Sequence, residues 1–136
     1  MNINILSKQE LTGHKGPIYA LCQGESSNVI YSCSNDLHIV KWDLLNPESP
    51  VAVCKIPSKA FSFSMNQSHL IIGTFKGMVR IVDLNHKKEI KCLELKQGII
   101  YKIFIDRTNE RLLVLTEAGI LNVFNLGNYK LERQIQ

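Results

Sequence analysis

Apolar residues in this chain fall in short bursts separated by turn formers, and no apolar stripe recurs for long at the three-to-four-residue spacing of a helix. Helices bury a stripe with a period near 3.6 and strands one with a period of 2, so the pattern predicts an all-β protein. A first set of strands is expected over Ile18–Cys22, Val29–Ser34, Ile39–Leu44 and Val51–Ile56, a second over Phe61–Met65, Leu70–Phe75, Val79–Leu84 and Ile90–Leu95, and a third over Tyr101–Ile105, Arg111–Thr116, Leu121–Leu126 and Tyr129–Ile135. Asn35-Asp36, Lys76-Gly77 and Ala118-Gly119 supply the tight turns between the second and third strands of each set.

The three sets are copies of one unit. The segments His38–Leu44, Met78–Leu84 and Ile120–Leu126 align, placing Trp42, Val82 and Phe124 at intervals of 40 and 42 residues. That period is the one expected of a four-stranded propeller blade. The unit boundaries fall at 13–56, 57–96 and 97–136, with 1–12 read as the outer strand of a closing blade, mainly on Ile3–Leu11.

Gly13-His14-Lys15-Gly16-Pro17-Ile18, Ser32-Cys33-Ser34-Asn35-Asp36 and Trp42-Asp43 together resemble one full repeat of the WD-repeat β-propeller family, with both signature dipeptides present. The second and third units keep the strand pattern but depart from the motif, with Lys59 and Gly98 near the histidine position and Lys76 and Ala118 at that of Asp36. The resemblance implies a hydrogen-bonded network of His14, Ser32 (or Ser34, two residues away on the same face), Asp36 and Trp42. The degenerate units are expected to hold together by apolar packing. Propellers close with roughly four to eight blades, so three blades form a partial or oligomer-completed ring. The ring is completed by a longer chain of which this is the N-terminal part, by a homodimer of six blades, or by a different chain.

Composition narrows the function classes. The chain has 136 residues, 45% hydrophobic and 21% charged, and its most apolar run, Ile99–Ile105, is interrupted by Lys102 and far too short to span a membrane as a helix. No secretory leader pattern opens the sequence, which points to a cytoplasmic protein, and Asn66-Gln67-Ser68 is set aside as a glycosylation site on that ground. Cys22, Cys33, Cys54 and Cys92 stand singly, without metal-ligand or redox spacing, and are read as reduced core thiols. His38, His69 and His86 show no metal-binding spacing either. Ser, His and Asp occur in one unit, but no nucleophile elbow accompanies them. No catalytic, cofactor-binding or metal residues are assigned and no cofactor is expected.

The resemblance implies a rigid platform whose face loops bind peptides or other domains, so a non-enzymatic protein–protein interaction module is expected. Candidate partner-binding residues are those before each tight turn, Asn35, Phe75 and Glu117, and those at the start of each first strand, Tyr19, Phe61 and Lys102. The other reading uses the formal charge of +4, whose densest segment runs from Lys76 to Lys102, to bind an anionic ligand such as nucleic acid or a phosphoinositide surface. Aromatic residues are thin in that segment, and nucleic acid is the less favoured partner.

Overall fold

The computed structural model describes residues 9–136, and every helix or strand among them is a strand. β1 (Ile18–Gln23), β2 (Val29–Ser34), β3 (His38–Asp43) and β4 (Val51–Lys55) form one sheet; β5 (Ala60–Asn66), β6 (His69–Thr74), β7 (Met78–Asp83) and β8 (Lys88–Glu94) form a second. β9 (Ile100–Asp106), β10 (Arg111–Thr116), β11 (Leu121–Asn125) and β12 (Leu131–Ile135) form the third. All pairings are antiparallel between strands adjacent in sequence, so each sheet is a four-stranded meander. The last strand begins later than the pattern predicts. Tyr129 is buried and left-handed (φ 57), its N–H donates to Asn125 O at 2.9 Å, and the ladder resumes at Leu131. The expected outer strand at Ile3–Leu11 lies mostly outside the described residues.

The sheets stack face to face. Tyr31, Cys33 and Ile39 of the first pack with Phe63, Leu70 and Ile72 of the second; Ile71, Val79 and Ile81, on the second sheet's other face, pack with Ile100, Ile103, Val114 and Phe124 of the third. Close approach decides the residue at the centre of each junction. Gly73 faces Ile100 so tightly that a Cβ on it would lie 2.9 Å from Ile100 Cβ, and at the corresponding place in the first junction Cys33 Sγ lies 3.5 Å from Ala60 O. Small side chains there let two flat sheets meet without a gap.

Two buried polar networks tie loops to these sheets. In the first, Trp42 Nε1–H donates to Ser32 Oγ (2.7 Å), Ser32 lies 2.6 Å from His14 Nε2, and His14 Nδ1 lies 2.9 Å from Asp36 Oδ2. One consistent donor order runs indole to hydroxyl to imidazole to carboxylate. Ser34 takes no part: its hydroxyl donates to Gly16 O at 3.0 Å and accepts from Asp36 N–H. Burial alone would raise the Asp36 pKa, but hydrogen bonds from Lys15 N–H, His14 and His38 N–H outweigh it and hold the carboxyl down at about 2.

The second network corrects the expectation that the degenerate units rest on apolar packing alone. In the third sheet, fully buried Asn122 donates to Gln97 Oε1 (2.8 Å) and accepts from Gln134 (2.8 Å), while Thr116 Oγ1 donates to Gln97 at 3.1 Å. The middle sheet does place apolar Ile72 and Val82 at the register positions of Ser32 and Trp42. Lys59 is not at the His14 position: its carbonyl accepts Phe75 N–H just as Pro17 O accepts Asn35 N–H, so it matches Pro17.

Three outcomes follow from this packing. Trp42→Ala should cost about 3–5 kcal/mol in denaturant unfolding, whereas Lys76→Ala, at an exposed turn, should change stability by less than about 0.5 kcal/mol. Gly73→Ala should cost about 1–3 kcal/mol by overpacking the second junction. Because folding lowers the Asp36 pKa from 3.8 to about 2, its contribution is complete above about pH 4 and is lost as pH falls toward 2. Stability measured across that range should fall less steeply in Asp36→Asn; an identical acid limb would remove this carboxylate from the account.

Candidate functional site

Strand order places one set of loops at a common end of all three sheets: those before β1, between β2 and β3, between β4 and β5, between β6 and β7, between β8 and β9, and between β10 and β11. At this end each first strand carries a β-bulge. Ile18 pairs with Ser34 and Ala20 with Cys33, skipping Tyr19; Ala60 pairs with Thr74 and Ser62 with Gly73, skipping Phe61; Ile100 pairs with Thr116 and Lys102 with Leu115, skipping Tyr101. A bulge leaves its extra residue out of the ladder and re-aims the side chain.

The re-aimed side chains are all aromatic, and they meet. Tyr19 stacks on Phe61 with centroids 6.3 Å apart and planes at 16°, and Phe61 meets Tyr101 edge-on at 5.8 Å and Phe75 at 5.6 Å. Tyr19, Phe75 and Tyr101 are each 40% exposed or more, with Phe61 half-buried between them. The strip therefore crosses three sheets, and its outer rings face solvent.

Asn35, Phe75 and Glu117 occupy one structural position, each donating its backbone N–H to the residue before a first strand: Pro17 O, Lys59 O and Ile99 O, at 2.9–3.0 Å. Asn35 Oδ1 lies 3.5 Å from the Tyr19 hydroxyl, and Glu117 Oε2 accepts Ile99 N–H at 3.1 Å. Lys102 is the candidate that the structure moves elsewhere. Tyr101 is the residue skipped in β9, so it takes the place equivalent to Tyr19 and Phe61. Lys102 then shares a row with Leu115, Leu121 and Ile135 on the third sheet's outer face. Aligning the apolar–aromatic pairs Ile18-Tyr19, Ala60-Phe61 and Ile100-Tyr101 is the signal that would have found it.

The basic segment does not form one patch. Lys76 sits at the aromatic end and Lys87 in the β7–β8 turn at the opposite end. Arg80 pairs with Glu89 at 2.6 Å, Lys91 donates to Asn128 O, and Lys102 lies on the lateral face.

Ser32, His14 and Asp36 are spaced like a nucleophilic relay, but Ser32 is fully buried and its oxygen already takes the indole N–H. That arrangement holds strands; it leaves no approach for a substrate. Burial pushes the Cys22 thiol up to about 12 and those of Cys33 and Cys54 to about 11, so these three stay protonated at neutral pH and are poor nucleophiles.

No protein-family model matches the chain. Over 92 residues it is 25% identical to Periodic tryptophan protein 2 of Saccharomyces cerevisiae, a stretch covering 66% of this chain and 10% of that protein. The crystal structure of the RRP9 WD40 repeats aligns with a TM-score of 0.79 at 14% identity, over 92% of this chain and 40% of that one. The structure of U3-55K aligns equally well, with a TM-score of 0.79 at 14% identity over 92% of this chain and 41% of that one. The computationally designed Ika4 protein gives a TM-score of 0.77 at 22% identity, over 96% of this chain and 81% of its own. The chain thus spans well under half the length of the natural proteins it matches. By fold it is a run of WD40 β-propeller blades: three four-stranded antiparallel sheets which, among the described residues, do not close into a ring.

Proposed function

We propose that this chain is a non-enzymatic protein-interaction module of the cytoplasm and that the loop end bearing the aromatic strip is its contact face. WD40 folds serve generally as interaction scaffolds. The observation that carries the reading here is the line of Tyr19, Phe61, Phe75 and Tyr101. Exposed aromatic side chains on rigid elements give large contact area at little cost in conformational entropy, which is what interface anchors require. Asn35 and Glu117 flank the strip as polar rim groups. The nucleic-acid or phosphoinositide reading has less support, because the lysines of the 76–102 segment are spread over both ends and the outer faces.

The contact face belongs to a larger ring. Phe104, Leu115 and Ile135 on the third sheet's outer face, and Ile18 and Leu21 on the first sheet's, are all exposed by 42% or more. The equivalent positions at the internal junctions are buried or partly buried. Ring closure by a second copy would set Ile18 against Leu115, where the internal junctions hold Cys33 with Ala60 and Gly73 with Ile100. Two large side chains at that point would hold the sheets apart, so further blades of different sequence are the better complement.

Phe75→Ala with Tyr101→Ala should weaken capture of a protein partner identified with the full chain by at least about tenfold, leaving the melting temperature unchanged. Undiminished capture would refute this face, and hydrolytic activity abolished by Ser32→Ala without unfolding would return the protein to the enzymes. Light scattering over a concentration range should show no discrete dimer; a clean dimer would establish six-bladed closure by two copies.

A further inference from the structure

The loops around the aromatic strip are rich in exposed lysines. Lys15, Lys59, Lys76 and Lys96 all lie in these end loops and all are exposed, and among the described residues none of their ammonium groups enters an ion pair. Two of the acids in the same loops, Asp36 and Glu117, are held in hydrogen bonds. Asp36 accepts from His14, Lys15 N–H and His38 N–H, and Glu117 accepts from Ile99 N–H. Backbone packing fixes two of the lysines beside the rings: Lys59 O accepts the N–H of Phe75, and Lys76 follows Phe75 into a turn held by Gly77. That glycine is left-handed (φ 75), and a Cβ on it would lie 2.7 Å from Gly98 O.

We propose that this end binds an extended acidic protein segment, with its apolar side chains against Tyr19, Phe61, Phe75 and Tyr101 and its carboxylates on the surrounding lysines. The proposal rests on the interaction face above and adds the chemistry of the partner. Exposed ammonium groups set around an apolar strip complement alternating acidic and apolar side chains, steering the encounter by charge and holding the complex by burial. A single-stranded nucleic acid offers the same charge but asks for ring faces open to stacking bases. Here the edge-on contacts of Phe61 with Phe75 and Tyr101 pack the rings against one another.

The test uses the full chain and three fluorescein-labelled probes: a short peptide of alternating Glu and Leu, the same peptide with Lys for Glu, and an oligouridylate. The acidic peptide should bind, at least about tenfold tighter than the basic one, and weaken as salt rises. Lys59→Glu with Lys76→Glu should cost at least about tenfold, whereas Lys87→Glu with Lys130→Glu, at the opposite end, should leave binding unchanged. Equal binding of the two peptides, tighter binding of the oligouridylate, or indifference to the Lys59 and Lys76 changes would overturn the proposal. If charge reversal is harmless while Phe75→Ala with Tyr101→Ala abolishes partner binding, the contact face stands and its acidic partner falls. If neither pair matters, both fall.

Discussion

Close stacking of flat sheets is the constraint on which everything else in this molecule depends. Each four-stranded meander is apolar on both faces, so none can be stable alone, and each must bury its faces against its neighbours. Contact at this distance is possible only where small residues meet the adjoining strand, as Gly73 does at Ile100 and Cys33 at Ala60. These contacts lie at the first strands, the elements that carry the bulges. The separation of the sheets therefore sets the separation of Tyr19, Phe61 and Tyr101, and a recognition surface follows from a packing requirement.

The polar networks play a different part. They hold loops to sheets where apolar contacts cannot, and each is nearly closed: indole, hydroxyl, imidazole and carboxylate satisfy one another in the first sheet, and three amides and a hydroxyl do so in the third. The middle sheet, flanked on both sides, dispenses with such a network and carries Ile72 and Val82 instead. Two chemically unlike solutions thus stand in one architecture, and only the first leaves a motif in the sequence.

That difference decides what could be read from the sequence. The strands were legible because a period of 2 broken by turn residues has one structural meaning, and the placement of loops at common ends follows from it. The link from Trp42 to Asp36 was legible in outline, although choosing Ser32 over Ser34 needed coordinates, since both point the same way and only one reaches the imidazole. Gln97, Thr116, Asn122 and Gln134 were not legible: ordinary amides far apart in sequence give no sign that they meet. Lys102 stood in for Tyr101 because the equivalent residues Tyr19, Phe61 and Tyr101 lie 42 and 40 residues apart, and a count along unequal repeats lands one residue off. The aromatic strip depends on three bulges in register across three sheets, which no local pattern in the sequence marks.

Sheet stacking aligns the aromatic residues, and aromatic nuclear Overhauser contacts in solution test this most directly. The wild-type chain should show Tyr19–Phe61 and Phe61–Tyr101 contacts. Enlarging the second junction with Gly73→Leu should remove the Phe61–Tyr101 contact while keeping Tyr19–Phe61, because the first junction is untouched. A Phe61–Tyr101 contact that survives in a folded Gly73→Leu chain, or one absent from the wild type, would show that the strip is not set by the packing of the sheets.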